Sequence, residues 1–191
     1  MKKTNLYEIR DVALKSGRAV YSVQQLAHLI KKPKSTAKVY SSRLVRKGLA
    51  KRIIRGKISF VVDDYVISTQ LLEPSYISVH SALLFHDLIM QVPQNVECVT
   101  TKNSIRYKPL GIVYHKIPGS LFFGYEKYGK GDSYVFVAEP EKAVIDGVYL
   151  NMLSKEDILE VITKLDKNKI SKYIERFRGK GKRKLEEWFL K

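Results

Sequence analysis

The chain has a single cysteine, Cys98, in 191 residues. That excludes an intramolecular disulfide, and with it the cysteine-based zinc spacings, which need a second thiol. Cys98 stands in the apolar run Val96-Glu97-Cys98-Val99 with no base or cation cluster beside it, so it reads as a small buried hydrophobe rather than a reactive thiol. No apolar run approaches the roughly 20 residues that a membrane helix needs. The start, Met1-Lys2-Lys3-Thr4-Asn5 running into Tyr7-Glu8-Ile9-Arg10-Asp11, has no apolar stretch of a secretory signal, and a cytoplasmic protein is expected. Phosphate-cradling glycine loops are missing too. Gly124, Gly129 and Gly131 fit neither the Walker nor the dinucleotide spacing, and Tyr128-Gly129-Lys130-Gly131-Asp132 reads as a hairpin connection.

Acidic residues are scarce. Against 35 Lys and Arg stand 19 Asp and Glu, for a net charge of +16, an excess that attracts polyanions. Its distribution is uneven. Residues 1–67 hold 16 basic and 4 acidic side chains, residues 68–167 hold 10 and 12, and residues 168–191 hold 9 and 3. A basic head and a basic tail thus flank a near-neutral middle, which suggests two separate polyanion-facing surfaces. An apolar share of 45% with 28% charged residues is that of a folded chain, and this length supports one large domain or two modest ones.

The head reads as three helices and a hairpin. Residues 5–15 place Leu6, Ile9 and Ala13 on one helical face, with Val12 beside them, and Gly17 is the stop. Val20-Tyr21 is a brief extended connection. Ser22 with Gln25 has the capping-box arrangement and opens a helix to about Ile30 that buries Val23, Leu26, Ala27 and Ile30. After the break at Lys31-Lys32-Pro33-Lys34, Ser35 is the expected cap of a helix over residues 35–47. Its inner face is Ala37, Tyr40, Ser41 and Leu44, and Gly48 ends it. Residues 49–54 and 58–62 are β-prone runs joined by the basic turn Arg55-Gly56-Lys57, a hairpin.

Helix, turn, helix, hairpin is the order of a winged helix-turn-helix, and Leu44-Val45-Arg46-Lys47-Gly48-Leu49 resembles the helix-to-wing transition of that family. A helix of this motif fits the major groove of duplex DNA, and the wing reaches backbone phosphate or the minor groove. The predicted DNA-facing residues are Lys34, Ser35, Thr36, Lys38, Ser42 and Arg43 on the helix, with Arg52, Arg55 and Lys57 on the wing. The plainer reading is a solvated charged face. It explains exposure but not why small hydrogen-bonding residues and cations stand where Glu would serve a helix equally well.

Beyond a connector over residues 63–74, residues 76–90 read as a largely buried helix. Short strands are expected at residues 96–101, 111–117, 121–123 and 134–138, and Pro140 starts a helix to about Asn151. The fold class expected is α+β: the winged helix-turn-helix over residues 1–67, then a mixed α+β domain over residues 68–191 that ends in a basic helical tail from about residue 154. Tyr76-Ile77-Ser78-Val79-His80-Ser81-Ala82-Leu83, Val99-Thr100-Thr101 and Val137-Ala138-Glu139-Pro140-Glu141-Lys142-Ala143-Val144-Ile145-Asp146 together resemble the AbiEi antitoxin family. So do Tyr114-His115-Lys116-Ile117-Pro118 and Phe122-Phe123-Gly124-Tyr125-Glu126, and with the head the resemblance spans residues 5–150. It implies a type IV toxin-antitoxin regulator that represses its own promoter, in that family often at inverted repeats. It also implies opposition to a neighbouring AbiEii-like nucleotidyltransferase toxin without a stable complex.

In the tail, Ser154 with Asp157 starts a helix over residues 154–165 with the stripe Ile158, Leu159, Ile162 and Leu165, and further helices fit residues 170–177 and 183–190. Their cations, Lys169, Lys172, Arg176, Arg178, Lys180, Lys182, Arg183 and Lys184, form either a second phosphate-binding face or solvated charge. No catalytic constellation, metal site or cofactor is expected. His80 and His86 are six apart and turn to different helix faces, and Asp63-Asp64 fits a solvated turn. Glu139, Lys142 and Asp146 fit an i,i+4 ion pair and a carboxylate at a helix start. The alternatives to a DNA-binding regulator are a nuclease or nucleotidyltransferase and a protein-interaction module without chemistry.

Overall fold

The computed structural model describes residues 5–190. The chain is a mixed α+β protein that divides into two compact units. One runs to Leu71 and takes in Gly129–Val135; the other begins at Leu72 and holds the rest. The boundary expected at residues 67 and 68 falls inside a helix of the first unit.

In that unit α1 (Leu6–Lys15) starts at an Asn5 capping box shared with Glu8, and Gly17, at φ +73°, carries the chain out in the left-handed region that glycine tolerates. Ile9 and Ala13 are buried, whereas Val12 is half exposed and off the core face. Residues Val20–Ser22 are more than a connection: they form β1, paired antiparallel with β3 (Lys57–Ser59), which pairs in turn with β2 (Lys51–Ile54). α2 (Val23–Leu29) carries the Ser22–Gln25 capping box, with Gln25 N–H donating to Ser22 Oγ at 3.2 Å and Ser22 N–H to Gln25 Oε1 at 2.8 Å.

α3 (Lys34–Arg46) begins one residue before the expected cap. Pro33, extended at ψ 151°, occupies the cap position, and its carbonyl accepts the Ala37 N–H at 3.0 Å, so Ser35 lies inside the first turn. These elements close on Ile9, Ala13, Tyr21, Leu26, Ala27, Ala37, Leu44 and Ile58. Each large aliphatic side chain there contributes about 1.5–3 kcal/mol by leaving water. The element order and strand pairing fit a winged helix-turn-helix.

The supposed connector contains α4 (Asp64–Leu71), capped by Asp63 through the Val66 N–H at 2.9 Å and buried from Val66 to Leu71. The bonds of Gln70 explain why a polar residue is held there. The Gln70 Oε1 accepts the N–H groups of Ala19 at 2.7 Å and Val20 at 3.2 Å, and its Nε2 donates to Ser133 Oγ at 3.0 Å.

The second unit is built on a six-stranded mixed sheet with order β6-β7-β5-β4-β9-β8. Its strands are β4 (Ser75–Ile77), β5 (Val96–Thr100), β6 (Ile105–Tyr107), β7 (Ile112–Lys116), β8 (Tyr125–Lys130) and β9 (Ser133–Ala138). β4 runs parallel to β9 through Ile77 and Val137, and β5 runs parallel to β7, which puts buried Cys98 beside Ile77 and Tyr114. Residues 76–90 are therefore not one helix. Their first residues are the end of β4, and α5 (Val79–Phe85) follows at once. The expected strand at residues 121–123 is instead a tight turn around Gly119–Leu121. α6 (Pro140–Tyr149) begins at the proline, as the residue order demands.

α7 (Lys155–Val161) opens on the Ser154–Asp157 capping box; Ile158 and Val161 are buried, and Leu159 points outward at 72% exposure. α8 (Lys167–Ile174) and α9 (Gly179–Phe189) pack on α6 and bury Ile170, Ile174, Phe177 and Leu185, so the basic tail is part of the core. Among the described residues no helix is long and apolar enough to cross a membrane.

Candidate nucleic-acid interface

α3 turns Ala37, Ser41 and Leu44 inward, with Tyr40 partly buried beside them. Lys34, Ser35, Lys38, Ser42 and Arg43 are exposed, and Thr36 is half-buried. The β2–β3 hairpin stands beside this face. Its two-residue turn, Arg55-Gly56, needs the left-handed backbone at Gly56 (φ +80°), and the Gly56 carbonyl accepts the Val23 N–H at 3.1 Å.

Helix and hairpin wall a cleft of about 460 Å³ that brings together seven predicted residues: Lys34, Ser35, Lys38, Ser42, Arg52, Arg55 and Lys57. Arg43 lies on an adjoining surface with Lys38, Ser42 and Arg46, and Thr36 lines neither. No carboxylate lines either surface. Arg43 sits over the Tyr40 ring at 6.0 Å, and the Ser42 hydroxyl donates to the Lys38 carbonyl at 3.2 Å. Lys57 differs from its neighbours: it is half-buried, and its ammonium donates to the Leu71 carbonyl, which ties β3 to the end of α4.

Three residues of this surface escape the sequence reading. Arg46 completes the cation row, Ser41 reaches the cleft although only 8% exposed, and Val39, 49% exposed on the outer face, is an apolar group of the kind that packs on a thymine methyl. The available signal was an absence: between Asp11 and Asp63 the chain has no acidic residue at all.

The titratable groups of the second unit are arranged for internal bonding. Lys142 and Asp146 form the expected i,i+4 pair, but at 0% and 1% exposure rather than at the surface. The Lys142 ammonium also donates to Tyr76 OH at 3.0 Å, and Asp146 Oδ2 accepts Tyr76 OH at 2.9 Å and Ser78 Oγ at 2.8 Å. Burial pushes the Tyr76 hydroxyl well up, helped by the Asp146 charge, and burial pulls the Lys142 ammonium down against the attraction of Asp146. Glu139 accepts from Tyr173 OH, and Lys169 bridges Glu139 at 3.0 Å and Glu141 at 3.2 Å. Gly124 makes room for this layer, since a Cβ there would stand 3.1 Å from the Lys142 and Tyr173 side chains.

Among the described residues no cluster of His, Cys, Asp and Glu has metal-holding geometry. His86 bonds the Ala138 carbonyl at 2.8 Å, and Asp63 pairs with Lys130 at 3.0 Å. His80 Nδ1 lies 3.2 Å from Glu97 Oε2, and its Nε2 lies 3.9 Å from Asp157. The hydrogen bond to Glu97 raises the His80 pKa above its ordinary value, while burial lowers that of His115 on the neighbouring strand. A raised folded pKa gives stability that is full below the unfolded value of about 6.5 and is lost as pH rises through the folded value. His115 acts oppositely, costing stability as pH falls. His80→Gln is therefore expected to be destabilised relative to the wild type most at acid pH, with the gap closing as pH rises. Urea unfolding at several pH values reads this, and a gap that widened with pH would refute the His80–Glu97 assignment.

No protein-family model matches the chain, and no curated protein matches it.

Proposed function

We propose that the chain is a cytoplasmic, sequence-specific DNA-binding transcriptional regulator that reads duplex DNA through α3 and the β2–β3 wing. The observation that carries this is the joint cleft, where cations and small hydroxyl side chains from both elements converge without a carboxylate. Lys and Arg neutralise phosphates and Arg reads guanine edges, while Ser and Thr hydroxyls serve either backbone or bases. The first test is fluorescence anisotropy on DNA from just upstream of its own gene, against scrambled DNA, over a salt series. Tight sequence-dependent binding supports the regulator. Weak binding, equal on both DNAs and lost steeply with salt, would reduce the charge to nonspecific attraction.

The autorepressor and antitoxin roles rest on the resemblance to the AbiEi family. Two of the resembling stretches supply Tyr76 and Ser78 on one side and Lys142 and Asp146 on the other, and these four meet in one buried network. Co-expression with the neighbouring nucleotidyltransferase-like toxin tests the role, and growth arrest unrelieved by this protein would remove it.

The tail's cations divide into two groups. Lys169 and Lys182 pair with carboxylates, and Lys184 donates to the Val148 carbonyl and Asn151 at 2.7 Å each. Lys172, Lys180 and Arg183 have no carboxylate partner among the described residues. Deleting residues 168–191 would strip Ile170, Ile174 and Leu185 from the core, so charge removal is the sound probe. If these three touch phosphate, Lys172→Gln, Lys180→Gln and Arg183→Gln together lower the slope of log affinity against log salt by about 0.9 for each phosphate no longer neutralised. An unchanged slope assigns them to solvent.

A further inference from the structure

A second cleft, of about 470 Å³, lies in the body unit and shares no residue with α3 or the wing. Ser120 and Leu121, in the turn before β8, form one side. Tyr149, at the end of α6, and Arg176, Phe177 and Arg178, between α8 and α9, form the other. Both arginines are exposed, no carboxylate lines the cleft, and neither guanidinium is paired with one among the described residues. Two fixed cations on one wall repel each other, and a dianion between them relieves that repulsion.

The wall is held in shape. The Arg176 guanidinium lies 4.2 Å over the Phe123 ring. Tyr149 meets Phe177 edge-on with centroids 5.3 Å apart. Gly181 lets α9 close on Tyr149, since a Cβ there would come 2.8 Å from the ring. Paired guanidiniums suit the oxygens of a phosphate, which they grip in bidentate fashion. The partly exposed Tyr149 ring and the buried Leu121 beside it give a flat apolar floor, and the volume is that of a small-molecule site rather than of a duplex.

We infer that this cleft binds a phosphate monoester carried next to an aromatic base, a nucleoside monophosphate or the 5′-phosphorylated end of a nucleic-acid strand. Arg176 and Arg178 take the phosphate, Ser120 donates to a remaining oxygen, and Tyr149 takes the base. This site does not depend on DNA reading by α3.

Saturation-transfer NMR on the full chain tests it, with AMP, adenosine and inorganic phosphate as probes. AMP is expected to bind saturably, and adenosine and phosphate each at least about tenfold more weakly. Arg176→Gln with Arg178→Gln should cost AMP affinity at least about tenfold, with an unchanged melting curve because both side chains are at the surface. Lys38→Glu with Arg43→Glu should leave AMP binding as in the wild type. Competition by a short oligonucleotide, with and without a 5′-phosphate, tells the two sources apart: stronger competition by the phosphorylated strand assigns the nucleic-acid end, equal weak competition the free nucleotide. Absence of saturable AMP binding at about 5 mM, or equal binding by the arginine variant, overturns the inference. So does an arginine variant that loses duplex affinity while AMP gives no signal, which would make the wall a docking point for nucleic-acid backbone.

Discussion

Lys38→Glu combined with Arg43→Glu is expected to abolish specific DNA binding while the protein stays folded. Both side chains are exposed and lie off the face of α3 that carries Ala37, Ser41 and Leu44. Exposed substitutions of this kind usually move stability by no more than about 0.5 kcal/mol. Removing one interaction with a base edge or phosphate costs about 1–3 kcal/mol, so the pair costs about 2–6 kcal/mol before the repulsion of two new carboxylates is added. That is a loss of roughly 30-fold to 10⁴-fold in affinity. Anisotropy on operator and scrambled duplexes separates the two kinds of interaction. Loss on both duplexes identifies phosphate binding, and loss confined to the operator identifies base reading. Affinity unchanged on either DNA would remove α3 from the interface.

Removing one member of the buried pair in the body should have the largest effect on stability. Lys142→Met leaves the Asp146 charge with only the Tyr76 and Ser78 hydroxyls, and Asp146→Leu leaves an ammonium without its counter-charge at 0% exposure. Breaking a buried pair by taking one partner costs about 3–5 kcal/mol, whereas replacing both by apolar groups is often close to neutral. Each single variant is therefore expected to lose about 3–5 kcal/mol in urea unfolding, and the double variant no more than the worse single. Additive losses would show that the two residues act separately. Single losses below about 1 kcal/mol would show that water reaches the pair.

The head was legible because its signals are local. The capping box of Ser22 and Gln25 joins residues three apart, and the faces of α3 follow from a 3.6-residue period that needs no distant partner. The wing was placed correctly along the chain, but the burial of Lys57 was hidden, since it depends on the Leu71 carbonyl 14 residues on. In the body, Tyr76 to Leu84 is apolar without a period that tells helix from strand. Tyr76 and Ile77 became a strand because Val137 and Cys98 lie on either side, partners supplied by distant segments. Likewise the spacing of Lys142 and Asp146 revealed the pair but not its burial, which is set by Tyr76 and Ser78 nearly seventy residues earlier.

The bond from the Val23 N–H to the Gly56 carbonyl has a meaning for affinity beyond its place in the fold. A free hairpin tip would have to be ordered when it meets DNA, and that ordering would be subtracted from the binding free energy. Here the first residue of α2 anchors the turn, while the β1–β3 pairing holds the strand behind it. Much of the entropy of the DNA-reading surface is thus surrendered when the protein folds, and the preorganised hairpin docks without that penalty.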